Sequence, residues 1–136
     1  MKVLVIDGQG GGIGRALVEK LRAELPEQEI LAVGANAIAT AAMLKAGATA
    51  AATGENAVCV CVREADIIAG PIGIVLKDSM MGEITGAMAA AVGSARAQRV
   101  LVPVLRCSTY LAGTEGIPLQ KLLDDAVGQI VKLVRK

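Results

Sequence analysis

The sequence contains no histidine, phenylalanine or tryptophan, and a single tyrosine, Tyr110. Without histidine there is no His-based triad, no imidazole metal ligand and no usual general base. Proton transfer is left to Asp, Glu, Lys, Cys, Tyr or water. With one aromatic ring in the chain there is no platform on which the bases of a single strand can stack. An adenine bound here would lie between aliphatic side chains. A charge excess is also missing: 14 Lys and Arg residues face 13 Asp and Glu residues. No field of one sign draws the chain to nucleic acid or to an anionic membrane. Long apolar runs are absent. The most apolar stretch, Ile67 to Leu76, is short and broken by Gly70, Pro71 and Gly73, so it does not span a bilayer.

Cysteine is scarce. On a helix Cys59 and Cys61 point about 200° apart, which excludes a shared metal and reads as small apolar residues near a core face. An odd cysteine count, three in all, and an opening too short in apolar length for a signal sequence together predict a reducing, cytoplasmic setting. At 136 residues the chain is expected to form one domain with a real core.

Glycine is what the sequence has, and it is concentrated near the start. Val3 to Ile6 is a short apolar, β-branched run, the pattern of a strand buried on both faces. Ile13, Leu17, Val18, Leu21 and Leu25 then recur at helical spacing. Between them lie Gly8, Gly10, Gly11, Gly12 and Gly14, more glycines than a turn requires. A strand, a glycine turn and a helix make a phosphate cradle, because the first N–H groups of a helix are unpaired and its dipole is positive there. The Walker pattern is not matched, since Arg15 and Ala16 follow Gly14. The expected cofactor site is Asp7, Gly8, Gln9, Gly10, Gly11, Gly12, Ile13 and Gly14.

Gly8-x-x-x-Gly12-Ile13-Gly14 resembles the Thr-Gly-x-x-x-Gly-x-Gly start of short-chain dehydrogenases, with Asp7 where that family has Thr. The resemblance covers about the first 25 residues and implies a Rossmann-like site for NAD or NADP. The family's Tyr-x-x-x-Lys pair is missing, because Tyr110 is followed four residues later by Thr114. The longer run from Ile6 to Gly14, with Gly70-Pro-Ile-Gly-Ile74 and Arg106-Cys107, looks like a small uncharacterised bacterial family, a domain of unknown function. That resemblance spans most of the chain, implies no activity, and leads to the expectation of a complete protein.

Asp7 places a carboxylate where a pyrophosphate would sit, and like charges repel. Three resolutions are open. Asp7 binds loop N–H groups and shapes the turn; it holds a metal such as Mg²⁺ that also binds phosphate; or the ligand is not a phosphate.

Further along, Ile30 to Val33 reads as a second strand with Gly34-Ala-Asn36 at its tip. Neither a ribose-binding acid nor a base for a 2′-phosphate stands there. Asn36 either bonds a ribose or caps the next helix, Ala37 to Ala46, which Gly47 ends. Ala48 to Ala52 reads as a weak strand, with Thr53 as the cap of a following helix whose Val58, Val60 and Val62 would equally suit a strand. Asp66 to Ala69 is a strand entering a loop, Gly70-Pro71-Ile72, that either faces the first turn across the crevice or makes an ordinary Gly-Pro turn. Lys77, Asp78 and Ser79 either reach the site or start a helix from Glu83 to Ala95, with Ser79 as its cap. Met80, Met81 and Met88 read as core or interface filler. Arg99 to Leu105 is a fifth strand in which Pro103 marks an edge or an early end. Arg106 and Cys107 at its tip read as a buried cysteine beside a solvated arginine, or as an activated nucleophile. Pro118 to Val134 is a final amphipathic helix.

The alternation predicts an α/β fold with a Rossmann-like, doubly wound parallel sheet of order 3-2-1-4-5 and helices on both faces. The expected function is binding of a nucleotide or dinucleotide; hydride transfer with NAD or NADP has no catalytic group to carry it. The alternative is a non-catalytic metabolite or nucleotide sensor. The chain is short for a dehydrogenase, so a homodimer or larger assembly is expected to close the site.

Overall fold

The computed structural model describes residues 1–104 and 109–136. Its strands are β1 (Val3–Asp7), β2 (Ile30–Gly34), β3 (Ala50–Thr53), β4 (Ile67–Pro71) and β5 (Gln98–Val102). They form one parallel sheet in the order β3-β2-β1-β4-β5, as the alternation of elements predicts. The helices are α1 (Gly12–Glu24), α2 (Ala37–Ala46), α3 (Glu55–Cys61), α4 (Gly86–Ser94) and α5 (Leu119–Val134), with a 3₁₀ turn at Ile72–Val75.

The central strands show why the sheet is covered twice. Every residue of β1 and of β4 is buried. Successive side chains of a strand point to opposite faces. Val3 and Val5 therefore join a core with Leu17, Leu21, Met43, Leu123 and Ile130, under α1, α2 and α5. Leu4 and Ile6 join a second core with Val58, Ile74, Met88 and Val92, under α3 and α4. No helix among the described residues is long and apolar enough to cross a membrane.

Several local expectations are corrected. β4 runs through Gly70 and Pro71, which are therefore strand and not loop. Gly70 is glycine because a Cβ there would collide with the Ile6 carbonyl oxygen of β1. Pro71 is tolerated because β1 pairs with β4 only as far as Ala69, while Pro71 lies opposite Val102 of β5. A proline needs no donor on a side that has no neighbour. The segment with alternating valines is helical, and its cap position is Gly54, not Thr53. Thr53 closes β3, its hydroxyl 2.7 Å from that of Thr40. Helix α4 begins at Gly86 behind Thr85, whose hydroxyl accepts the Met88 N–H at 3.1 Å, so Ser79 is not its cap. Met88 is core, but Met81 is 94% exposed and is no part of the core. β5 is an edge strand and stops at Val102, before Pro103.

In a parallel sheet all strands deliver their C-terminal ends to one side. Here Asp7, Gly34 and Pro71 end β1, β2 and β4 there. The order reverses between β1 and β4, so the turn after β1 and the 3₁₀ turn after β4 flank the switch point where doubly wound folds bind ligands.

Candidate functional site

Asp7 organises the turn. It is 4% exposed. One carboxylate oxygen accepts the Gly8 N–H at 2.7 Å and the other accepts the Gly14 N–H at 2.7 Å. The second of these is an unpaired donor from the first turn of α1. Asp7 thus sits in the role of an N-cap supplied from the strand, while the residue at the cap position, Gly11, has no side chain to cap with. This is the turn-shaping role, the first of the three open to it. Burial pushes the Asp7 carboxyl above its ordinary range; the N–H groups of Gly14, Gly8 and Ile13 pull it down, and the charge of Glu83 adds to the rise. Among the described residues no group of three acidic or cysteine side chains is placed to hold a metal.

The glycines divide into two kinds. Gly11 has φ +72°, and a Cβ there would lie 2.9 Å from the Ala39 Cα of α2. Gly14 lets α1 lie against the sheet: a Cβ would be 2.6 Å from the Met43 sulfur and 2.8 Å from the Asp7 Cβ. Gly8 is covered by the segment after β4, with the Glu83 Oε1 and the Met80 sulfur each 2.7 Å from where its Cβ would be. These three are explained by packing. Gly10 and Gly12 are not: nothing lies within 4 Å of a Cβ at either. Their N–H groups also have no acceptor among the described residues.

Both open glycines line a cleft of about 970 Å³ between the turn, the start of α1, the end of β4 and the start of α5. Asp7, Gly8, Gln9, Gly11, Ile13 and Pro71 line it too, as the sequence suggests. Gly14, Asn36, Gly70 and Ile72 do not. Gly14 is buried on the inner face of α1, against Met43 and Asp7. Gly70 is inside the sheet. Ile72 begins the 3₁₀ turn, and Gly73 takes the lining position instead. Asn36 is a cap: its Oδ1 accepts the Ala39 N–H at 2.9 Å, and its Nδ2 donates to the Gln9 carbonyl and to the Glu83 Oε2, both at 2.9 Å. Lys77 and Asp78 stay outside the cleft, while Ser79 enters its wall with its hydroxyl donated to the Gly73 carbonyl. Arg106 and Cys107, with the nucleophile they suggest, lie outside the described residues.

Three contributors escaped sequence reading. Arg15, half exposed on α1 and in a 3.4 Å pair with Glu19, is the cation of the described cleft lining. Such an exposed pair is weak and exchanges readily for another anion. Gln120 and Leu119 come from the start of α5, more than a hundred residues further on. Arg15 had a signal, its place in the first turn of the helix after the glycines. The α5 residues had none, since only the fold brings them to β1.

A family model described as Domain of unknown function (DUF3842) matches residues 2–135. The chain belongs to this family. No curated protein and no solved structure matches the chain. The DUF3842 description assigns no activity, and the likeness of the glycine turn to short-chain dehydrogenases is no part of it. Function in this DUF3842 member has to be argued from the cleft.

Proposed function

We infer that the chain binds a nucleotide through its phosphate, seated on the N–H groups of Gly10 and Gly12 with Arg15 as the counter-charge. The observation that carries this reading is the pair of open glycines: two backbone donors at the positive end of α1, without acceptors among the described residues and with free space above them. Backbone donors at a helix start suit an anion. The cleft volume, about 970 Å³, is at the upper end of the range for small-molecule sites. Its walls at Ile13, Ala16, Leu119 and Leu123 are aliphatic, which suits a flat base at a site whose described lining has no ring to stack on it. The Asp7 carboxylate is engaged by the N–H groups of Gly8 and Gly14, which lessens the negative charge that the phosphate meets.

NAD and NADP are the dinucleotides of this class. Mg²⁺, if it accompanies the nucleotide, would be held by Asp7 and would offset the charge of the phosphate. The polar side chains of the described lining, Asp7, Gln9, Arg15, Ser79 and Gln120, include no pair placed for hydride transfer. The proposed role is therefore binding, as in a sensor.

Thermal unfolding against NAD, NADH, NADP, NADPH, FAD, ATP, AMP, S-adenosylmethionine and coenzyme A, each with and without Mg²⁺, tests this. A ligand at about 100 times its Kd adds roughly 2.7 kcal/mol and raises the Tm by several degrees. A shift with a mononucleotide is the expected result. A shift that needs Mg²⁺ would move Asp7 from shaping the turn to holding a metal. No shift with any member of the panel would overturn nucleotide binding.

A further inference from the structure

The segment between the 3₁₀ turn and α4 does more than connect them. Glu83 accepts the Gln9 N–H through Oε1 at 2.6 Å and the Asn36 Nδ2 through Oε2 at 2.9 Å. Asn36 Nδ2 also donates to the Gln9 carbonyl at 2.9 Å. One carboxylate therefore ties together the turn after β1, the tip of β2 and the segment after β4. The space beneath it is filled. Glu83, Met80 and Ala35 stand within 2.7 to 3.3 Å of a Cβ on Gly8, so the side of that glycine where a Cβ would stand is closed.

The location matters. In doubly wound sheets a dinucleotide lays its pyrophosphate on the first turn and carries its adenosine toward the tip of the second strand. Here that route is closed by Met80 and Glu83. The open cleft runs from Met80 and Met81 over the turn toward Arg15 and α5, and does not extend to Glu83 or to the tip of β2 at Asn36. The covering segment is also held in a conformation that side chains disfavour. Asp78, Met80 and Met81 have φ of 67°, 56° and 58°, and Gly82 follows at 89°. None of the first three is glycine, so contacts must hold them. Those contacts are Asp78 N–H to the Ile84 carbonyl at 2.7 Å, Ile84 N–H to the Ser79 carbonyl at 3.2 Å, and the Glu83 tie.

We propose that Glu83 is a specificity-determining latch, closing the crevice between Gly8 and the tip of β2 so that the site takes a mononucleotide and admits a dinucleotide only when the latch is released. This rests on the nucleotide reading of the cleft. It gives Gly8 and Asn36 a different purpose from ligand contact: Gly8 makes room for the latch, and Asn36 is its keeper.

The test is calorimetric titration of AMP and of NAD into the wild type and into Glu83→Ala, with the ratio of the two Kd values as the readout. The wild type is expected to bind AMP more tightly than NAD. Glu83→Ala is expected to move the ratio toward NAD by at least about tenfold, the scale of one lost charge-assisted hydrogen bond. Hydrogen exchange at the Gln9 amide should quicken in the same variant. Gly8→Ala is the second variant: its methyl group displaces the flexible ends of Glu83 and Met80 while leaving the Glu83 charge in place, and it should move the ratio the same way. It replaces Glu83→Ala if that variant does not fold. Binding of both nucleotides with an unchanged ratio overturns the latch and leaves the nucleotide reading standing. Failure of both nucleotides to bind either protein overturns the nucleotide reading, and the selectivity with it.

Discussion

Replacing Asp7 by alanine is expected to lower the unfolding free energy by about 2–4 kcal/mol in urea titrations, among the largest effects of any polar substitution in this chain. The reason is local. Two N–H groups, of Gly8 and Gly14, end on this one carboxylate in a buried place. Alanine leaves both without their acceptor. Asn is intermediate, because its amide has one acceptor atom to offer where the carboxylate has two. The pH dependence has a definite sign. The folded-state pKa of Asp7 is raised by burial, above an unfolded value of about 3.9. Over the window between them the folded chain holds a proton that the unfolded chain has lost. The part of the Asp7 contribution that is linked to this proton is thus fully present below the unfolded pKa and is lost as pH rises through the folded one, while the two N–H bonds to the carboxylate remain. Measured as wild type minus Asp7→Asn, stability should fall as pH rises through that window and level off above it. A difference that rises with pH would show that the hydrogen bonds outweigh burial.

Gly12→Val is expected to weaken nucleotide binding by about a hundredfold or more, the scale of losing a well-placed anion contact, with the Tm nearly unchanged. Gly12 is the first residue of α1 and lies outside the left-handed region. Valine is a somewhat better helix former than glycine, and nothing lies within 4 Å of its Cβ. Its branches would fill the space over the donors that a phosphate needs. Gly14→Ala is the contrast. There a single methyl meets Met43 and the Asp7 Cβ inside the core, and overpacking of that kind costs about 1–3 kcal/mol. The two variants separate the glycine that serves a ligand from the glycine that serves the fold. Equal effects of both on stability, with binding untouched by Gly12→Val, would reduce the whole run to a tight turn.

Most of the architecture was legible because it depends on short-range patterns. Val3 to Ile6 and Ile30 to Val33 are apolar on both faces, α1 and α5 carry clear stripes, and Gly47 and Asn36 end and begin α2 in the usual way. The errors share a cause. Gly70 and Pro71 look like a turn, since glycine and proline usually punctuate; they are strand because Ile6 passes close to one and β1 has left off pairing beside the other. Thr53 and Ser79 look like caps, yet each hydroxyl found a partner that the sequence does not advertise: Thr40 for the first and the Gly73 carbonyl for the second. The site was half legible for the same reason. The glycine turn is contiguous and was found. Glu83 reaches Gln9 across 74 positions, and Gln120 enters the cleft from α5; no periodicity or motif announces either.

The most direct measurement is a titration of ¹⁵N-labelled protein with AMP, followed by amide chemical shifts. Phosphate seated on the open donors should move the Gly10 and Gly12 amides and the Arg15 Nε–H together along one saturable curve, with the Gly14 amide, already taken by Asp7, moving little. Saturable binding that leaves Gly10 and Gly12 in place, or no saturable shift with AMP at all, would contradict the assignment of these two glycines to a nucleotide phosphate.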